Sequence, residues 1–303
     1  MEVLGSFAAV RRWGESLQGS FGLVPTMGYL HEGHISLLEG ARAGCDAVVM
    51  SLFVNPLQFD DPTDLSRYPR DPDRDLELAE RAGVNVVFAP GVAEMYATDP
   101  IFRVSPGRMA ASMEGARRPG HFEGVALAVT KLLAGIRPDR AYFGKKDAQQ
   151  LAIVQRLATD LSLPVDIVAM PTVREADGLA LGSRNVFLGA AARSRARSLS
   201  RGLFMAADSV AAGERGGAVL EAHAGTPAGA DDRVELEYVE LAAQEDVGRL
   251  EELDRPAFLA IAATIDGVRL IDNVSFEWKA GVPVPDRGVR LDRISALYST
   301  EED

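Results

Sequence analysis

Residues 22–38, GLVPTMGYLHEGHISLL, run from an apolar stretch through a proline- and glycine-containing turn into two histidines and an amphipathic helix. Gly22-Leu23-Val24 reads as the end of a short buried strand, and Pro25 is expected to stop it by fixing φ and removing a donor. Gly28 and Gly33 bracket the turn. Beyond it Ile35, Leu37 and Leu38 recur at helical spacing, so His34 falls in a first helical turn whose unpaired backbone N–H groups favour an anion. The interval from Gly28 to Gly33 is that of a P-loop, but His34-Ile35 stands where Lys-[Ser/Thr] is required. A zincin helix is also disfavoured, because His31 and His34 are three residues apart rather than four. Two histidines at i and i+3 share a face and can donate to phosphate oxygens whose charge rises during attack at phosphorus.

Working outward, residues 6–18 read as a helix with Phe7, Val10, Trp13 and Leu17 on one side. Residues 46–54 form a continuous apolar run, as expected for a strand buried on both faces of a parallel sheet. It ends at Asn55-Pro56-Leu57-Gln58, which places Asn55 and Gln58 at the carboxyl end of a strand, where open α/β sheets bind ligands. A charged helix over 73–81 follows; its acidic start, with Asp73 and Asp75 as the candidates, is a weak metal site. Strands are expected at 85–90, 140–144 and 164–170, with a long helix over 121–136. Arg117 and Arg118 precede that helix and suit a gate over an anion. Gly144-Lys145-Lys146-Asp147 repeats the strand, glycine, helix-start pattern. Lys146 is placed to reach phosphate as a point charge, with Gln150 four residues on and facing the same way.

This alternation predicts an α/β fold: a doubly wound, Rossmann-like parallel sheet domain over 1–184, followed by a smaller C-terminal α+β domain over 185–283 and a polar tail over 284–303. The second domain is expected to hold a helix over 190–212, a Gly/Pro/Ala-rich connection from Gly225, and strands at 234–241 and 258–265. With 303 residues, 47% of them hydrophobic, the chain can bury a sizeable core. The net charge of −12 disfavours nucleic acid and anionic membrane as partners. A single cysteine, Cys45, and the absence of a long apolar run point to a cytoplasmic protein.

The word PTMGYLHEGH resembles the HIGH-type signature of nucleotidyl-transferring α/β enzymes, in the version found in pantothenate synthetases (pantoate–β-alanine ligases). FVNPLQF (53–59), YPRDPDRD (68–75), RPGHFEGV (118–125), FGKKDAQQL (143–151) and PTVREADGLALGSRN (171–185) resemble later words of that family in the same order. The resemblance is strong over about the first 185 residues. It implies an ATP-dependent, AMP-forming condensation of (R)-pantoate with β-alanine through a pantoyl adenylate, with Mg²⁺ accompanying ATP, in a homodimer of the coenzyme A pathway. The alternatives are another HIGH-type nucleotidyltransferase or a non-catalytic nucleotide-binding relative.

Carried over residue by residue, the resemblance makes His34 the proton donor to phosphate, with His31 and Lys146 as its catalytic neighbours. Pro25, Thr26, Met27, Gly28, Tyr29, Leu30, His31, Glu32, Gly33 and His34 would line ATP, with Gly33 letting the base pack on the backbone. Gly144, Lys145, Lys146, Asp147, Val173, Leu181, Gly182, Ser183 and Arg184 would complete that site. Asn55, Gln58 and Gln150 would hold pantoate, with Gln58 also near β-alanine. Three positions depart from the family pattern. Lys145 replaces a common acid and is expected to be screened by solvent, Leu181 replaces methionine, and Gly182 replaces the first of two serines.

Overall fold

The computed structural model describes residues 1–59, 62–293, 295 and 297. The chain divides into two compact units, one formed by Met1–Leu30, His34–Phe143 and Ile153–Met170, the other by His31–Gly33, Gly144–Ala152 and Pro171–Asp303. The change of unit therefore falls at Pro171 rather than at residue 184. Gly144–Ala152 passes to the second unit although its flanking segments belong to the first.

The first unit is built on a six-stranded sheet of β1 (Glu2–Leu4), β2 (Phe21–Thr26), β3 (Ala47–Leu52), β4 (Val86–Phe88), β5 (Arg140–Gly144) and β6 (Asp166–Met170). Their spatial order is β1-β4-β3-β2-β5-β6, with parallel pairing. The order reverses at β2, which makes its carboxyl end the switch point where such sheets bind ligands. The intervening helices are α1 (Phe7–Ser16), α2 (Glu32–Gly44), α3 (Pro62–Arg67), α4 (Pro72–Arg81), α5 (Val92–Met95), α6 (Met113–Arg117), α7 (His121–Ile136) and α8 (Ala148–Asp160). Val24, Val48, Met50 and Val87 from the strands meet Leu37, Leu38 and Ala41 of α2 and Ala79 of α4 in one core.

Pro25 does not end β2 as expected. It pairs with Ser51 of β3 and lies beyond the β2–β5 ladder, which covers only Gly22 and Leu23. A strand tolerates proline where no partner needs its missing N–H.

The second unit opens with β7 (Val173–Arg174), α9 (Ala190–Ala211) and α10 (Gly217–Gly229), and continues with β8 (Val234–Ala243), β9 (Ala257–Ile265), β10 (Val268–Lys279), β11 (Val282–Asp286) and β12 (Val289–Arg290). β8 to β11 form an antiparallel sheet in the order β11-β10-β9-β8, and β12 pairs with β7. Leu199 and Leu203 of α9 and Leu220 and Ala224 of α10 pack with Leu259, Ile261, Val274 and Phe276 of the sheet.

Two expectations for this region fail. The supposed Gly/Pro/Ala connection is the second half of α10, with Pro227 inside the helix. Leu220, Ala224 and Ala228 repeat every four residues and are fully buried, and that burial outweighs the local cost of proline. The polar tail from residue 284 begins instead within β11 and β12; the part of it comprising 294, 296 and 298–303 lies outside the described residues.

Candidate active site

In the first unit, the loop leaving β2 turns through two left-handed residues, Gly28 at φ 83° and Tyr29 at φ 52°. Glycine removes the conformational cost at the first, and the second is held by its neighbours. Asp75 of α4, 1% exposed, accepts the Tyr29 N–H at 2.8 Å and the Leu30 N–H at 2.7 Å. Arg74 donates to the Leu30 carbonyl at 2.9 Å and lies over the Tyr29 ring. Burial pushes the Asp75 carboxyl above its usual range, although the two amides and Arg74 pull it back. Thr26 donates to the Ser51 carbonyl at 2.8 Å and so ties the end of β2 to β3. His34 is the third residue of α2 and half-buried.

Around Gln58 the first unit builds a second constellation. Asn55 caps the 3-10 turn Pro56–Gln58 by accepting the Leu57 N–H at 3.2 Å. Its Nδ2 donates to the Gln58 Oε1 at 3.1 Å and to the Gly124 carbonyl at 3.0 Å, and its Oδ1 accepts the Tyr96 hydroxyl at 2.9 Å. Burial drives the Tyr96 phenol up to about 12, so it stays a donor at any physiological pH. With both donors and its acceptor engaged, Asn55 orients Gln58. Gln58 Nε2 in turn reaches the Met27 sulfur at 2.8 Å, joining two residues expected to touch substrate.

The RPGHFEGV word supports the same turn. Arg118 donates to the Gln58 carbonyl at 3.2 Å. His121 Nδ1 lies 2.7 Å from the same oxygen; a carbonyl only accepts, so this nitrogen carries the proton. Gly124 lies so close to the Leu57 carbonyl that a Cβ would sit 2.1 Å from its oxygen. Arg118, read from sequence as part of a gate, is thus a brace for Gln58.

In the second unit, His31 is 8% exposed, and its Nδ1 accepts the Gly33 N–H at 3.1 Å, which leaves the proton on Nε2. Its ring occupies the space over Gly33, where a Cβ would meet it at 2.8 Å. Lys145–Asp147 forms a 3-10 turn ahead of α8. Lys145 donates to Glu277 at 2.7 Å and to Asp286 at 2.8 Å with its side chain only 14% exposed, so it is not solvent-screened as expected. Lys146 runs along the next loop instead: a Cβ on Gly182 would lie 3.2 Å from its Cε and 3.5 Å from its Nζ.

Leu181 donates to the Val173 carbonyl at 2.9 Å, and both side chains are buried. Ser183 and Arg184 open a 3-10 turn braced by Asn185, which donates to Glu175 at 3.1 Å and to the Ala180 carbonyl at 3.0 Å. Glu175 is fixed by Arg193 at 2.6 Å. The second unit thus brings Lys145, Lys146, Val173, Leu181 and Gly182 together, as their spacing in the chain could not.

The family model described as pantoate-beta-alanine ligase matches residues 2–275. The chain belongs to that family. The pantothenate synthetase of Roseiflexus sp. (strain RS-1) is 48% identical over 277 residues, covering 91% of this chain and 100% of the relative. That of Moorella thermoacetica is 46% identical over 280 residues, covering 91% and 99%. The crystal structure of pantothenate synthetase from Thermus thermophilus superposes with a TM-score of 0.83 at 43% identity, over 90% of this chain and 98% of that one. The pantoate-beta-alanine ligase of Francisella tularensis, complexed with beta-gamma ATP and beta-alanine, gives 0.72 at 31% identity, over 90% and 97%.

The ligase forms an amide bond, and its doubly wound sheet followed by a C-terminal antiparallel sheet is the fold of these relatives. Its acidic helix start does not make a cation cage. Asp71 caps α4 by accepting the Arg74 N–H at 3.2 Å, Asp75 is committed to two amides, and Asp73 is exposed. Among the described residues no group of three or more His, Cys, Asp or Glu comes together. Nor, among the described residues, is any helix long and apolar enough to cross a membrane.

Sequence reasoning missed Tyr96, His121 and Gly124, and in the second unit Asn273, Glu277 and Asp286. His121 and Gly124 carried no signal beyond membership of the word RPGHFEGV, and Tyr96 carried none. The others lie on strands β10 and β11, which sequence reading did not assign.

Proposed function

We propose that this ligase condenses (R)-pantoate with β-alanine at the expense of ATP, through a pantoyl adenylate. A carboxylate is a poor electrophile, so one pantoate carboxylate oxygen attacks the α-phosphorus and pyrophosphate leaves. The β-alanine amine then attacks the acyl carbon, AMP departs with the carboxylate oxygen, and the amine loses a proton. Neither step needs a covalent enzyme intermediate. The protein's task is to bring anions together and to stabilise charge growing on phosphate oxygens.

The observation that carries this reading is the fixed entry into α2: a left-handed turn clamped by Asp75 and Arg74 leads straight to His31 and His34 at a helix N-terminus. His34 is assigned as donor to the phosphate oxygens, supported by the helix dipole. Pro25 to His34 are assigned to the nucleotide, as are Gly144, Lys146, Asp147, Val173 and Leu181 to Arg184, with Lys146, Ser183 and Arg184 on phosphates. Gln58 and Gln150 are assigned to pantoate, with Asn55 holding Gln58 in place. Mg²⁺ is carried in by the ATP phosphates and water rather than by a protein cage, which suits a cation that dehydrates reluctantly. The family resemblance supports a cytoplasmic homodimer.

Pantoate-dependent exchange of labelled pyrophosphate into ATP, run without β-alanine, tests the order of steps; exchange that strictly requires β-alanine would overturn it. In the same assay His34→Ala is expected to slow exchange by about 10²–10³, the loss typical of one preorganised donor. A folded His34→Ala variant with wild-type exchange would reduce His34 to a helix-capping residue.

A further inference from the structure

Within the second unit, strand β10 grips the turn that carries Lys146. Asn273 is 3% exposed, and its Nδ2 donates to the Lys145 carbonyl at 2.9 Å and to the Lys146 carbonyl at 2.7 Å. One amide group therefore uses both of its hydrogens on two successive peptide groups, fixing both planes. Residues two apart on a strand share a face, so Asn273, Ser275 and Glu277 line up, and Asp286 of β11 stands opposite Ser275. Glu277 and Asp286 hold the Lys145 ammonium on that face.

The grip is itself anchored. The Asn273 N–H donates to Asp272 Oδ1 at 2.6 Å, and Asp272 is paired through both oxygens, at 2.7 and 2.8 Å, with Arg174, a fully buried guanidinium. Arg174 also donates to the Asn273 carbonyl at 3.0 Å. Arg174 and Asp272 thus fix the strand position from which Asn273 reaches the turn.

Lysine is a point charge on a flexible stem, so its aim depends on where its backbone is held. Adjacent residues of a 3-10 turn point about 120° apart, so tying Lys145 to the acids turns Lys146 away from them. We propose that Asn273 is a positioning residue for adenylation, fixing the turn that directs Lys146 at the transferring phosphate, with Lys145 as a second tie rather than a phosphate contact. This rests on the assignment of Lys146 to phosphate made above.

The test is a double-mutant cycle of Lys146→Ala and Asn273→Ala on the full chain. Its readouts are pantoate-dependent pyrophosphate exchange, ATP affinity, thermal stability, and the second half-reaction from preformed pantoyl adenylate and β-alanine. Asn273→Ala is expected to slow exchange about tenfold or more in the wild-type background but less than about twofold once Lys146 is alanine, the coupling expected when one residue acts through another. The second half-reaction should stay within about twofold, which general loosening of the fold would not allow. Equal losses in both backgrounds overturn the proposal, as does an equal loss in both half-reactions. Wild-type exchange in Lys146→Ala instead refutes the phosphate assignment, and is told apart because it needs no Asn273 variant. Should Asn273→Ala not fold, Asn273→Asp keeps the volume while aiming a carboxylate at two carbonyls; it must lose at least as much exchange, and wild-type exchange in that variant overturns the inference.

Discussion

The buried carboxylate of Asp75 accepts the backbone N–H of Leu30 at 2.7 Å, and its other oxygen accepts that of Tyr29 at 2.8 Å. Because burial raises this carboxyl, ionising it costs folding stability: its favourable share is present below the ordinary 3.8 and lost as pH rises through the folded value. The charge is therefore kept for the loop. Asp75→Asn removes a buried charge but turns an NH₂ towards an amide donor, effects of opposite sign, the second about 1–3 kcal/mol. The melting temperature is expected to move by only a few degrees while pyrophosphate exchange falls about tenfold or more. Thermal melts and exchange assays on one preparation check this; a fall in stability without loss of exchange sinks it.

Lys145→Glu looks harmless from the sequence, because the family resemblance implies an acid at that position. In the structure it places a third carboxylate against Glu277 and Asp286, in a site where the lysine side chain is 14% exposed. The expected cost is about 2 kcal/mol, between a surface pair and a broken buried one, or a melting point lower by on the order of 5 °C. Lys145→Met should cost less, since it adds no charge. Calorimetry that finds Lys145→Glu as stable as wild type would mean the ion triad does not form in solution. Lys146→Ala, by contrast, is expected to leave stability near wild type and to lower kcat/KM about 10²-fold.

The Tyr96 hydroxyl holds Asn55, whose amide holds Gln58. Gln58→Ala is expected to raise the pantoate KM, since a lost polar partner costs about 1–3 kcal/mol. Tyr96→Phe should produce a weaker version of that change, roughly threefold to tenfold, with ATP KM unchanged. Steady-state kinetics with each substrate varied in turn decides it. A Tyr96→Phe effect on ATP alone would separate Tyr96 from Gln58.

The Lys145 triad also gives a pH signature. Burial opposes the Lys145 charge, but hydrogen bonds to Asp286 and Glu277 outweigh it and hold the ammonium above its ordinary 10.5; the Lys145 and Lys279 ammoniums hold Glu277 below its ordinary 4.5. A raised lysine contributes stability below its unfolded value and loses it as pH rises through the folded one; a depressed carboxylate contributes above its unfolded value and loses it on acidification. The melting-point gap between wild type and Lys145→Met is therefore expected to be full between those two ordinary values and to narrow on both sides. A gap that persists undiminished at pH 3 would rule out ionic pairing as its source.

Sequence periodicity was enough for five strands of the parallel sheet, though not for β1, for α7 at its observed bounds and for α9 to within one residue, because those elements bury regular apolar faces whose spacing survives in the chain itself. Residues 22–38 likewise carried the histidines, the glycines and the helix start, since each of these acts through neighbours a few positions away.

What only the tertiary structure decided depends on pairs far apart in sequence. Pro227 inside α10 is tolerated because Leu220, Ala224 and Ala228 are buried against the unit's core, a gain no local propensity contains. The two adjacent lysines were equivalent in the sequence apart from Gln150 and the family pattern. Partners 128 and 132 residues away, Asn273 and Glu277, now hold one of them and set the direction of the other. In the sequence Asp75 is one acid of a charged helix start and no more than a weak metal candidate. It became the clamp of the loop leaving β2 because folding brought two unpaired amides, 45 and 46 residues back along the chain, within hydrogen-bonding distance of its buried oxygens. Composition records which groups a chain possesses, but a hydrogen bond requires a donor and an acceptor to meet, and that meeting is set by packing.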